Sequence, residues 1–295
     1  MVDRRLDLRG GVAVVTGAAS GIGAGLARVL AERGCALALA DRNAEGLATV
    51  AADARSRGVK VSEHALDVAD ADAVAALPAT VLAEHGRVSV LVNNAGVALM
   101  GQFEQVSAAD FEWLFGINFW GTVRMTRAFL PLLRRESASQ IVNLSSVYGL
   151  MAPPGQAAYA ASKFAVRGFS EALRNELEGS PVGVTVVHPG GVRTAIAATA
   201  RVPDTIKPAE AAAGLAVFNK LLRTEPDTAG ELIARAIERR ERRLLIGSDA
   251  RQIAALVRMF PIGHWNVVQR LAARRIRRLT AREGGRDASQ EATYG

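Results

Sequence analysis

The sequence is poor in the residues that build disulfides and metal centres. Among 295 residues there is one cysteine, Cys35, so no internal disulfide can form, and this favours a reducing cytoplasm. No apolar run approaches the ~18 residues of a membrane span, and no cleavable leader opens the chain. The four histidines lack the spacing of metal ligands, so we expect no metal site; they are His64, His85, His188 and His264.

Aromatic residues are also few, at 5% of the chain, whereas 28 glycines and a hydrophobic content of 49% are present. This composition can bury a sizeable core in one α/β domain. Short apolar runs alternate with helical stretches. The pattern predicts a doubly wound, Rossmann-type parallel sheet of about seven strands flanked by helices, with a C-terminal helical extension. The strand candidates are Val12–Thr16, Ala36–Asp41, Val88–Val92, Ile141–Leu144, Val184–Val187 and Arg243–Gly247.

A glycine cluster follows the first predicted strand directly. Gly17, Gly21 and Gly23 have the spacing G-x-x-x-G-x-G, and an apolar periodic stretch follows from Leu26 to Leu30. A dinucleotide site requires this context, because glycines let the backbone approach a pyrophosphate at the start of a helix. A glycine cluster can also be a plain loop, but its position after the first strand favours a cofactor site.

The second predicted strand ends in a carboxylate, Asp41, eighteen residues after Gly23. Such an acid accepts hydrogen bonds from the hydroxyls of an adenosine ribose and repels a 2′-phosphate, so it favours NAD. Arg42 keeps NADP open as the alternative, because a guanidinium can bind that phosphate. Ser20, which precedes Gly21, is not a base and offers the phosphate no cation.

Tyr159 and Lys163 are one helical turn apart and therefore share a helix face. A free tyrosine titrates near pH ~10, and we expect the adjacent Lys⁺ to lower that pKa, as a general acid/base requires. Ser146, thirteen residues before Tyr159, is a candidate to hold a substrate oxygen. An isolated Tyr-x-x-x-Lys pair is more often an ordinary helix face, so the glycine loop upstream is what favours the catalytic interpretation.

Together these motifs resemble the short-chain dehydrogenase/reductase family in its single-domain form with a Tyr-x-x-x-Lys active site. The resemblance runs in order from Val12 to Thr194. It implies catalytic roles for Asn118, Ser146, Tyr159 and Lys163. It implies cofactor contacts for Thr16, Gly17, Ser20, Gly21, Ile22, Gly23, Asp41, Arg42, Asp67, Val68, Asn94, Ala95, Gly96, Tyr159, Lys163, Pro189, Gly190, Val192 and Thr194.

The resemblance also implies individual roles for these residues. Asp67 and Val68 are expected to hold the adenine ring, and the segment Asn93–Gly96 to end the fourth strand and steady the sheet. Asn118 is expected to relay protons from Lys163 through water.

The turn Pro189–Thr194 resembles the one that grips the nicotinamide carboxamide, through Val192 and Thr194. Gly191 stands where family members frequently have a larger residue, which puts the stiffness of this turn in question. Family members usually pair through the helices expected near residues 108–133 and 156–177, so the resemblance implies a homodimer or homotetramer.

The implied reaction is the NAD(P)-dependent interconversion of a secondary or primary alcohol and a ketone or aldehyde. Tyr159 is the expected general acid/base, and hydride passes to or from nicotinamide C4. The segment Ala195–Leu222 is expected to fold over the substrate, and its apolar content favours a hydrophobic one. Alternatives are a non-catalytic NAD(P)-binding protein and a protein that tethers a membrane or a partner. Further wall candidates are Leu99, Met100, Phe103, Leu150 and Met151.

The positive charge of the chain is concentrated near its end. Between Arg235 and Arg282 there are thirteen arginines against three acids, a balance of +10, whereas the whole chain carries +7. Apolar residues recur on one face of a predicted helix with arginines opposite, as in an amphipathic basic helix. This helix could lie on an anionic membrane, dock on the enzyme or another subunit, or, less readily, contact nucleic acid. The apolar face is Trp265, Val268, Ala272, Ile276 and Leu279.

These patterns divide the chain into four parts. A polar leader covers residues 1–10, and the Rossmann-type NAD(P)-binding catalytic domain covers residues 11–250. The basic amphipathic extension covers residues 251–282, and residues 283–295 form a polar tail that we expect to be disordered.

Overall fold

The described part of the chain is built on one parallel sheet. The computed structural model describes residues 5–270, in which seven strands lie in the order β3-β2-β1-β4-β5-β6-β7. Every neighbouring pair of these strands is parallel. The strands are β1 (Val12–Thr16), β2 (Ala36–Asp41), β3 (Val61–Ala65), β4 (Val90–Asn93), β5 (Ser139–Leu144), β6 (Val182–Pro189) and β7 (Arg243–Ile246).

Helices connect the strands, because parallel neighbours require crossover connections. The helices are α1 (Gly21–Glu32), α2 (Ala44–Ser56), α3 (Ala71–His85), α4 (Ala108–Phe115), α5 (Thr122–Leu133), α6 (Ala157–Glu176), α7 (Pro208–Asn219), α8 (Pro226–Glu238) and α9 (Ser248–Met259).

The helices cover both faces of the sheet. Ala13 and Val15 of β1 belong to a buried cluster with α1, α2 and α8, whereas Val14 belongs to a second cluster with α3, α5 and α6. The predicted doubly wound fold is confirmed.

The strand order reverses between β1 and β4. In doubly wound sheets, ligands bind at this switch point, in the crevice beyond the carboxyl ends of the strands. The glycine loop follows β1, the segment Asn93–Gly96 closes β4, Ser146 follows β5, and the turn Pro189–Thr194 closes β6. The fold therefore places the predicted motifs at one edge of the sheet.

The helix expected over residues 108–133 is interrupted. Between α4 and α5 lies a π-helical segment, Gly116–Gly121. Such segments add one residue to a turn and are frequent at functional sites. Asn118 lies inside this segment, and its exposed fraction is 1%.

The N-terminal part of the described chain belongs to the core. Leu6 and Leu8 lie in the segment predicted as a polar leader, yet both are buried in the cluster with α1 and α8. The backbone N–H of Leu6 donates to the carbonyl oxygen of Glu238. Arg5, Asp7 and Arg9 alternate with these leucines and are exposed, so the segment packs on the core through one side only.

The chain separates into two compact units, of which the first ends at Arg251 and the second begins at Gln252. Helix α9 ends at Met259, before Pro261, and residues 264–270 are helical again. The rest of the predicted basic extension and the tail 283–295 lie outside the described residues. Within residues 5–270, no helix is long and apolar enough to cross a membrane.

Cys35 is fully buried at the start of β2. Burial raises the pKa of its thiol to about 12, and a hydrogen bond with the backbone of Ala13 opposes this shift only in part. The thiol is therefore a packing group.

Candidate active site

Three glycines shape the loop between β1 and α1. Gly17 and Gly21 have positive φ angles of 64° and 54°, which side chains disfavour. A Cβ on Gly23 would overlap the carbonyl oxygen of Gly17 and lie 2.6 Å from Asn94 Nδ2. A Cβ on Gly17 would lie 2.8 Å from Ala95 Cα. The loop is thus drawn tightly against the end of β4 at the N-terminus of α1, where an anion is favoured.

Hydrogen bonds from Thr16 and Asn94 fix this loop to the neighbouring strand. Asn94 Nδ2 donates to the carbonyl oxygens of Thr16 and Gly17, both at 2.9 Å. In return, Thr16 Oγ1 accepts from the backbone N–H groups of Asn94 and Ala95, at 3.0 and 3.1 Å. Thr16 is buried, so these reciprocal bonds are protected from water. The predicted steadying role of the segment Asn93–Gly96 matches this geometry.

Asp41 lies at the end of β2 and contacts the glycine loop. Its Oδ2 accepts from the backbone N–H of Ala19 at 3.0 Å, and its Oδ1 accepts from that of Asn43 at 2.9 Å. Each carboxylate oxygen can accept a further hydrogen bond, so the group can still receive ribose hydroxyls. Arg42 and Ser20 are both exposed beside it.

Asp67 and Val68 follow β3 and occupy different environments. Asp67 is exposed, and its Oδ1 accepts from the backbone N–H of Ala69 at 2.8 Å. Val68 is buried, and a Cβ on Gly121 would lie 2.7 Å from Val68 Cγ2. Val68 therefore packs against the π-helical segment.

Ser146, Tyr159 and Lys163 come together where β5 ends and α6 begins. The Oγ of Ser146 accepts from the backbone N–H of Tyr148 at 3.1 Å, and the Ser146 hydroxyl lies near enough to Tyr159 to lower the pKa of the phenol. The Nζ of Lys163 lies 5.7 Å from the centre of the Tyr159 ring and donates to the carbonyl oxygen of Leu144 at 3.0 Å.

The adjacent serine, Ser145, faces a different group. Ser145 is buried, and its Oγ donates to the backbone carbonyl oxygen of Lys163 at 2.8 Å. It ties β5 to α6, which leaves Ser146 as the serine that faces Tyr159.

The protonation of this cluster differs from the expectation that Lys163 lowers the pKa of Tyr159. Burial raises the pKa of Tyr159 to about 12, and the nearby Ser146 hydroxyl opposes that shift. Burial also lowers the pKa of Lys163 to about 8. The reason is that both groups are desolvated, and the ammonium is directed to a backbone carbonyl rather than to the phenol oxygen. Tyr159 is therefore a neutral proton donor at neutral pH.

Asn118 and Lys163 both approach Gly96. A Cβ on Gly96 would lie 3.2 Å from Asn118 Oδ1 and 3.3 Å from Lys163 Nζ. Asn118 is fixed by a two-way contact with Val97, whose N–H donates to Oδ1 at 2.8 Å and whose carbonyl accepts from Nδ2 at 3.0 Å. Asn118 Nδ2 also donates to Ser162 Oγ at 3.2 Å. This places the amide beside the buried ammonium.

The turn Pro189–Thr194 is anchored by a residue that no sequence motif marks, Asp249. Its Oδ2 accepts from the backbone N–H of Gly191 at 2.7 Å. A Cβ on Gly191 would overlap the carbonyl oxygen of Leu221, so a larger residue does not fit here. Thr194 at the other end of the turn packs on Gly21, where a Cβ would lie 3.0 Å from Thr194 Cγ2. Close packing against neighbouring groups therefore explains Gly190 and Gly191, and these glycines do not make the turn loose.

His188, on β6, is a second residue that the sequence pattern does not mark. It is fully buried, and its Nδ1 lies 2.9 Å from the carbonyl oxygen of Ser146. Burial lowers the pKa of His188 to about 4, so the ring is neutral and Nδ1 donates this bond. The imidazole thereby supports the backbone of the predicted catalytic serine. Within residues 5–270, no group of three or more His, Cys, Asp or Glu side chains could hold a metal ion.

The segment Ala195–Leu222, which we call the strap, is attached at Arg201 to the segment after β4. Leu99 and Arg201 form an isolated parallel bridge, in which Met100 N–H donates to the carbonyl oxygen of Arg201 and Arg201 N–H donates to that of Ala98, both at 3.0 Å. The Arg201 guanidinium lies 3.8 Å from the centre of the Trp113 ring and bonds to Asp110 Oδ1 at 2.6 Å. Pro203 and Ile206 of the strap also approach Gly101.

Under this strap the wall beside Tyr159 is apolar. Leu99 and Ala158 are buried together, and Tyr159 packs against their cluster. Leu150 and Met151 are buried as well, whereas Phe103 is 71% exposed at the rim. A depression in this wall is lined without any charged residue, by Leu99, Gly101, Phe103, Val106, Phe111, Gly155, Ala157 and Ala158.

The comparison with known families agrees with this geometry. The profile of the family described as short chain dehydrogenase matches residues 11–204. SadH of Mycobacterium tuberculosis is 40% identical over 266 residues, which cover 89% of this chain and 95% of that protein. The chain belongs to the short-chain dehydrogenase family.

Other members of this family show how broad it is. D-threitol dehydrogenase of Mycolicibacterium smegmatis is 41% identical over 192 residues, which are 65% of this chain and 73% of that protein. A short-chain dehydrogenase/reductase from Burkholderia phymatum, solved in complex with NAD, superposes with a TM-score of 0.80. It is 32% identical, and the match covers 86% of this chain and 95% of that one. A metagenomic short-chain oxidoreductase solved with NADP is also 32% identical, with a TM-score of 0.67 over 82% and 98% of the two chains.

The crevice of this short-chain dehydrogenase fits a dinucleotide. The glycine loop has no room for a Cβ at Gly17 or Gly23, so its backbone is open to a close approach by a pyrophosphate. Asp41 lies where a ribose acceptor is required, at the carboxyl end of β2. NAD or NADP is therefore the cofactor of this oxidoreductase fold. The assignments of individual site residues stay predictions.

Proposed function

We propose that this protein interconverts an alcohol and the corresponding ketone or aldehyde, using Tyr159 as general acid/base. The observation that carries the proposal is the close approach of three side chains beyond the carboxyl end of β5: Ser146, the partly buried Tyr159 and the buried Lys163, whose Nζ lies 5.7 Å from the centre of the Tyr159 ring. A protein that only binds a dinucleotide has no need of a phenol placed beside a serine hydroxyl and a buried ammonium. The uncharged wall next to Tyr159 favours an apolar substrate.

The chain's own residues supply proton transfer and orientation. In reduction, the neutral Tyr159 hydroxyl donates its proton to the carbonyl oxygen and becomes a phenolate; in oxidation, the Tyr159 phenolate takes the proton of the alcohol. Ser146 holds the same substrate oxygen and, through its proximity to Tyr159, partly offsets the effect of burial on the pKa of the phenol. Lys163 and Asn118, whose side chains both lie near Gly96, relay the proton onward through water. The nicotinamide, when bound, accepts or donates the hydride at C4.

The test is NADH formation with NAD⁺ and a graded series of alcohols, from short diols to long-chain and sterol-like secondary alcohols. Tyr159→Phe is expected to lose about a thousandfold in turnover and to bind NADH nearly as wild type, because only the proton donor is removed. Activity within tenfold of wild type would contradict the proposal.

Tyr148→Phe is the matched control for this test. Its ring packs edge-to-face on Tyr159, with centroids 6.1 Å apart, and the substitution removes one hydroxyl in the same neighbourhood. We expect turnover within about threefold of wild type, which separates a specific role of the Tyr159 hydroxyl from general disturbance of the site. Rising turnover with chain length supports the apolar substrate class.

We further propose that NAD is preferred over NADP. Asp41 would repel a 2′-phosphate, whereas its neighbour Arg42 is exposed and could bind one. Asp41→Ser is expected to lower the ratio of kcat/KM for NAD⁺ to that for NADP⁺ by at least tenfold. An unchanged ratio would show that Asp41 does not select the cofactor.

A second candidate function, peripheral attachment to an anionic membrane, is favoured by an exposed apolar cluster after α9. Met259, Phe260 and Ile262 are 65%, 46% and 96% exposed, and they surround Pro261. The sequence from Arg251 to 270 contains three arginines and no acid, so it suits an anionic bilayer. We propose a cytoplasmic enzyme that touches such a surface.

Vesicle sedimentation tests this attachment. Full-length protein is expected to bind vesicles that contain phosphatidylserine and to detach from them in high salt. It is not expected to bind vesicles of pure phosphatidylcholine. Ile262→Ser should reduce binding about tenfold. Leu221→Ser, which replaces an exposed leucine in the strap, should leave it unchanged. Equal binding by both variants and by wild type would overturn the membrane proposal.

We also propose a homo-oligomer, because two large aromatic side chains are exposed on the π-helical segment and α6. Trp120 and Phe164 are 49% and 40% exposed. Light scattering of the full chain should give at least a dimer, and a monomer at micromolar concentration would contradict this. Trp120→Ser should shift the mass toward the monomer.

A further inference from the structure

The first turn of α9 holds a carboxylate in an unusually close contact with the turn that follows β6. Oδ2 of Asp249 accepts from the backbone N–H of Gly191 at 2.7 Å. A Cβ on Gly190 would overlap both carboxylate oxygens, and one on Gly247 would overlap Oδ1. Three glycines thus surround one carboxylate, which leaves the side chain of Asp249 little freedom to change its direction.

Backbone hydrogen bonds to residues 223 and 224 also hold the same turn. The carbonyl oxygen of Gly191 accepts from the N–H groups of Arg223 and Thr224, at 2.9 and 3.0 Å. The N–H of Arg193 donates to the carbonyl oxygen of Thr224 at 2.8 Å. Without Asp249, the turn would keep these bonds but lose the acceptor that fixes the N–H of Gly191. The position of the residues after Gly191 depends on this acceptor.

Those residues reach the cofactor crevice. Val192 is buried in the core cluster beneath α1, and Thr194 packs against Gly21 of the glycine loop. A displacement of the turn at Gly191 is therefore transmitted to the part of the crevice opposite the adenosine end, which Asp41 marks. Asp249 itself does not touch the glycine loop in any described contact.

We propose that Asp249 is a positioning residue for the nicotinamide half of the cofactor, acting through Gly191. The inference rests on the proposed role of Val192 and Thr194 in the nicotinamide site. The carboxylate of Asp249 lies at the N-terminus of α9, where the helix dipole stabilises it. Its short hydrogen bond to the N–H of Gly191 fixes the position of the turn beside the crevice. Asp249 influences binding of the nicotinamide end and not of the adenosine end.

Binding measurements distinguish contacts to the nicotinamide half of the cofactor from contacts to the adenosine half. Titration of the full chain with NADH and with ADP-ribose, which lacks the nicotinamide, gives two dissociation constants. Asp249→Ala is expected to weaken NADH binding about tenfold, as the loss of one charge-assisted hydrogen bond implies, and to change ADP-ribose binding by less than twofold. A loss of stability alone would weaken both ligands equally.

Asp249→Asn is the conservative variant. Its amide oxygen can still accept from the N–H of Gly191, so the ratio of the two dissociation constants should return to within about threefold of wild type. Asp227→Ala is the matched control, because Asp227 also lies in the first turn of a helix, α8, but pairs with Arg28. It should leave both constants unchanged. If Asp249→Ala does not fold, Asp249→Ser replaces it, with the same expected ratio.

Three outcomes decide between the ideas. A selective loss of NADH binding in Asp249→Ala with recovery in Asp249→Asn supports the positioning role. Parallel losses for NADH and ADP-ribose, or no loss for either, overturn it. If the wild-type chain binds neither ligand, the proposed function itself fails, and that result is distinct from a failure of the Asp249 inference.

Discussion

The cofactor side and the substrate side of the crevice are held in different ways. We use cofactor side for the glycine loop and the segment Asn93–Gly96, and substrate side for residues 99–106 and 195–222. On the cofactor side, backbone atoms touch backbone atoms and the bonds of Thr16 are buried. On the substrate side, the strap depends on Arg201, whose side chain is 45% exposed. The first arrangement tolerates almost no change, whereas the second can be altered without disturbing the core.

The largest expected effect lies on the cofactor side, at Gly23. Gly23→Ala would force a Cβ into the carbonyl oxygen of Gly17, so either the loop moves or the chain is destabilised. We expect a loss of about 3 kcal/mol in the free energy of unfolding, or a loss of NADH binding of at least a hundredfold. Urea denaturation and NADH titration measure the two effects.

Gly168→Ala is the control for that prediction. Gly168 lies in α6, and a Cβ there meets nothing within 4 Å. This variant should be unchanged or more stable by up to about 1 kcal/mol, because alanine favours a helix. If Gly23→Ala had the same stability and the same NADH affinity as Gly168→Ala, the cofactor side would not be more sensitive to change than the substrate side.

The next effect is a pH dependence that arises at His188, between the two sides. Burial lowers the pKa of His188 to about 4, helped by Arg243 and Arg167 and opposed by the Ser146 carbonyl and Glu171. An unfolded histidine titrates near ~6.5, so the unfolded chain takes up a proton first as the pH falls. Stability is complete above pH ~6.5, falls through the window down to about 4, and loses about 3 kcal/mol across it.

His188→Asn tests this assignment, since its amide can still donate to the carbonyl oxygen of Ser146. Urea midpoints at pH 7.5, 6 and 5 should fall less steeply in the variant than in wild type. Some slope will remain, because burial also lowers the pKa of His64 and of His85. Identical slopes for both proteins would place the pH dependence elsewhere.

The smallest expected effect lies on the substrate side, at Arg201. Its contacts with Trp113 and Asp110 lie at the surface, where a cation–π contact and an ion pair are weak. Arg201→Ala should raise the KM of an apolar alcohol about fivefold, with unchanged melting temperature and NADH affinity. The control is Arg235→Ala, which breaks the surface pair with Glu231 in α8 and should leave the KM unchanged. A change in NADH affinity for Arg201→Ala would show that the two sides are coupled.

The sequence predicted the cofactor side better than the rest because its geometry follows from local chemistry. Glycines after a buried strand have few alternative uses, and the order of motifs along the chain matches the order of strand ends. Strand β3 did not stand out, because at the edge of the sheet it carries polar residues such as Glu63 and His64. Its hydrophobic pattern is correspondingly weak.

The parts that sequence did not reveal depend on contacts between distant residues. Asp249 reaches a turn 58 residues earlier in the chain, and His188 supports a carbonyl 42 residues before it. The pKa of Tyr159 was expected to fall because Lys163 is near it in sequence. Burial decides the direction instead, and burial is a property of the folded chain.

The isolation of Cys35 gives this chain a practical advantage for spectroscopy. Its thiol is fully buried with a pKa of about 12, so it stays unreactive toward maleimides at neutral pH. A cysteine introduced at Ile262 or in the strap would then be the single reactive thiol of the variant. Fluorophores and spin labels could therefore report on the surroundings of the strap or on membrane contact without first removing Cys35.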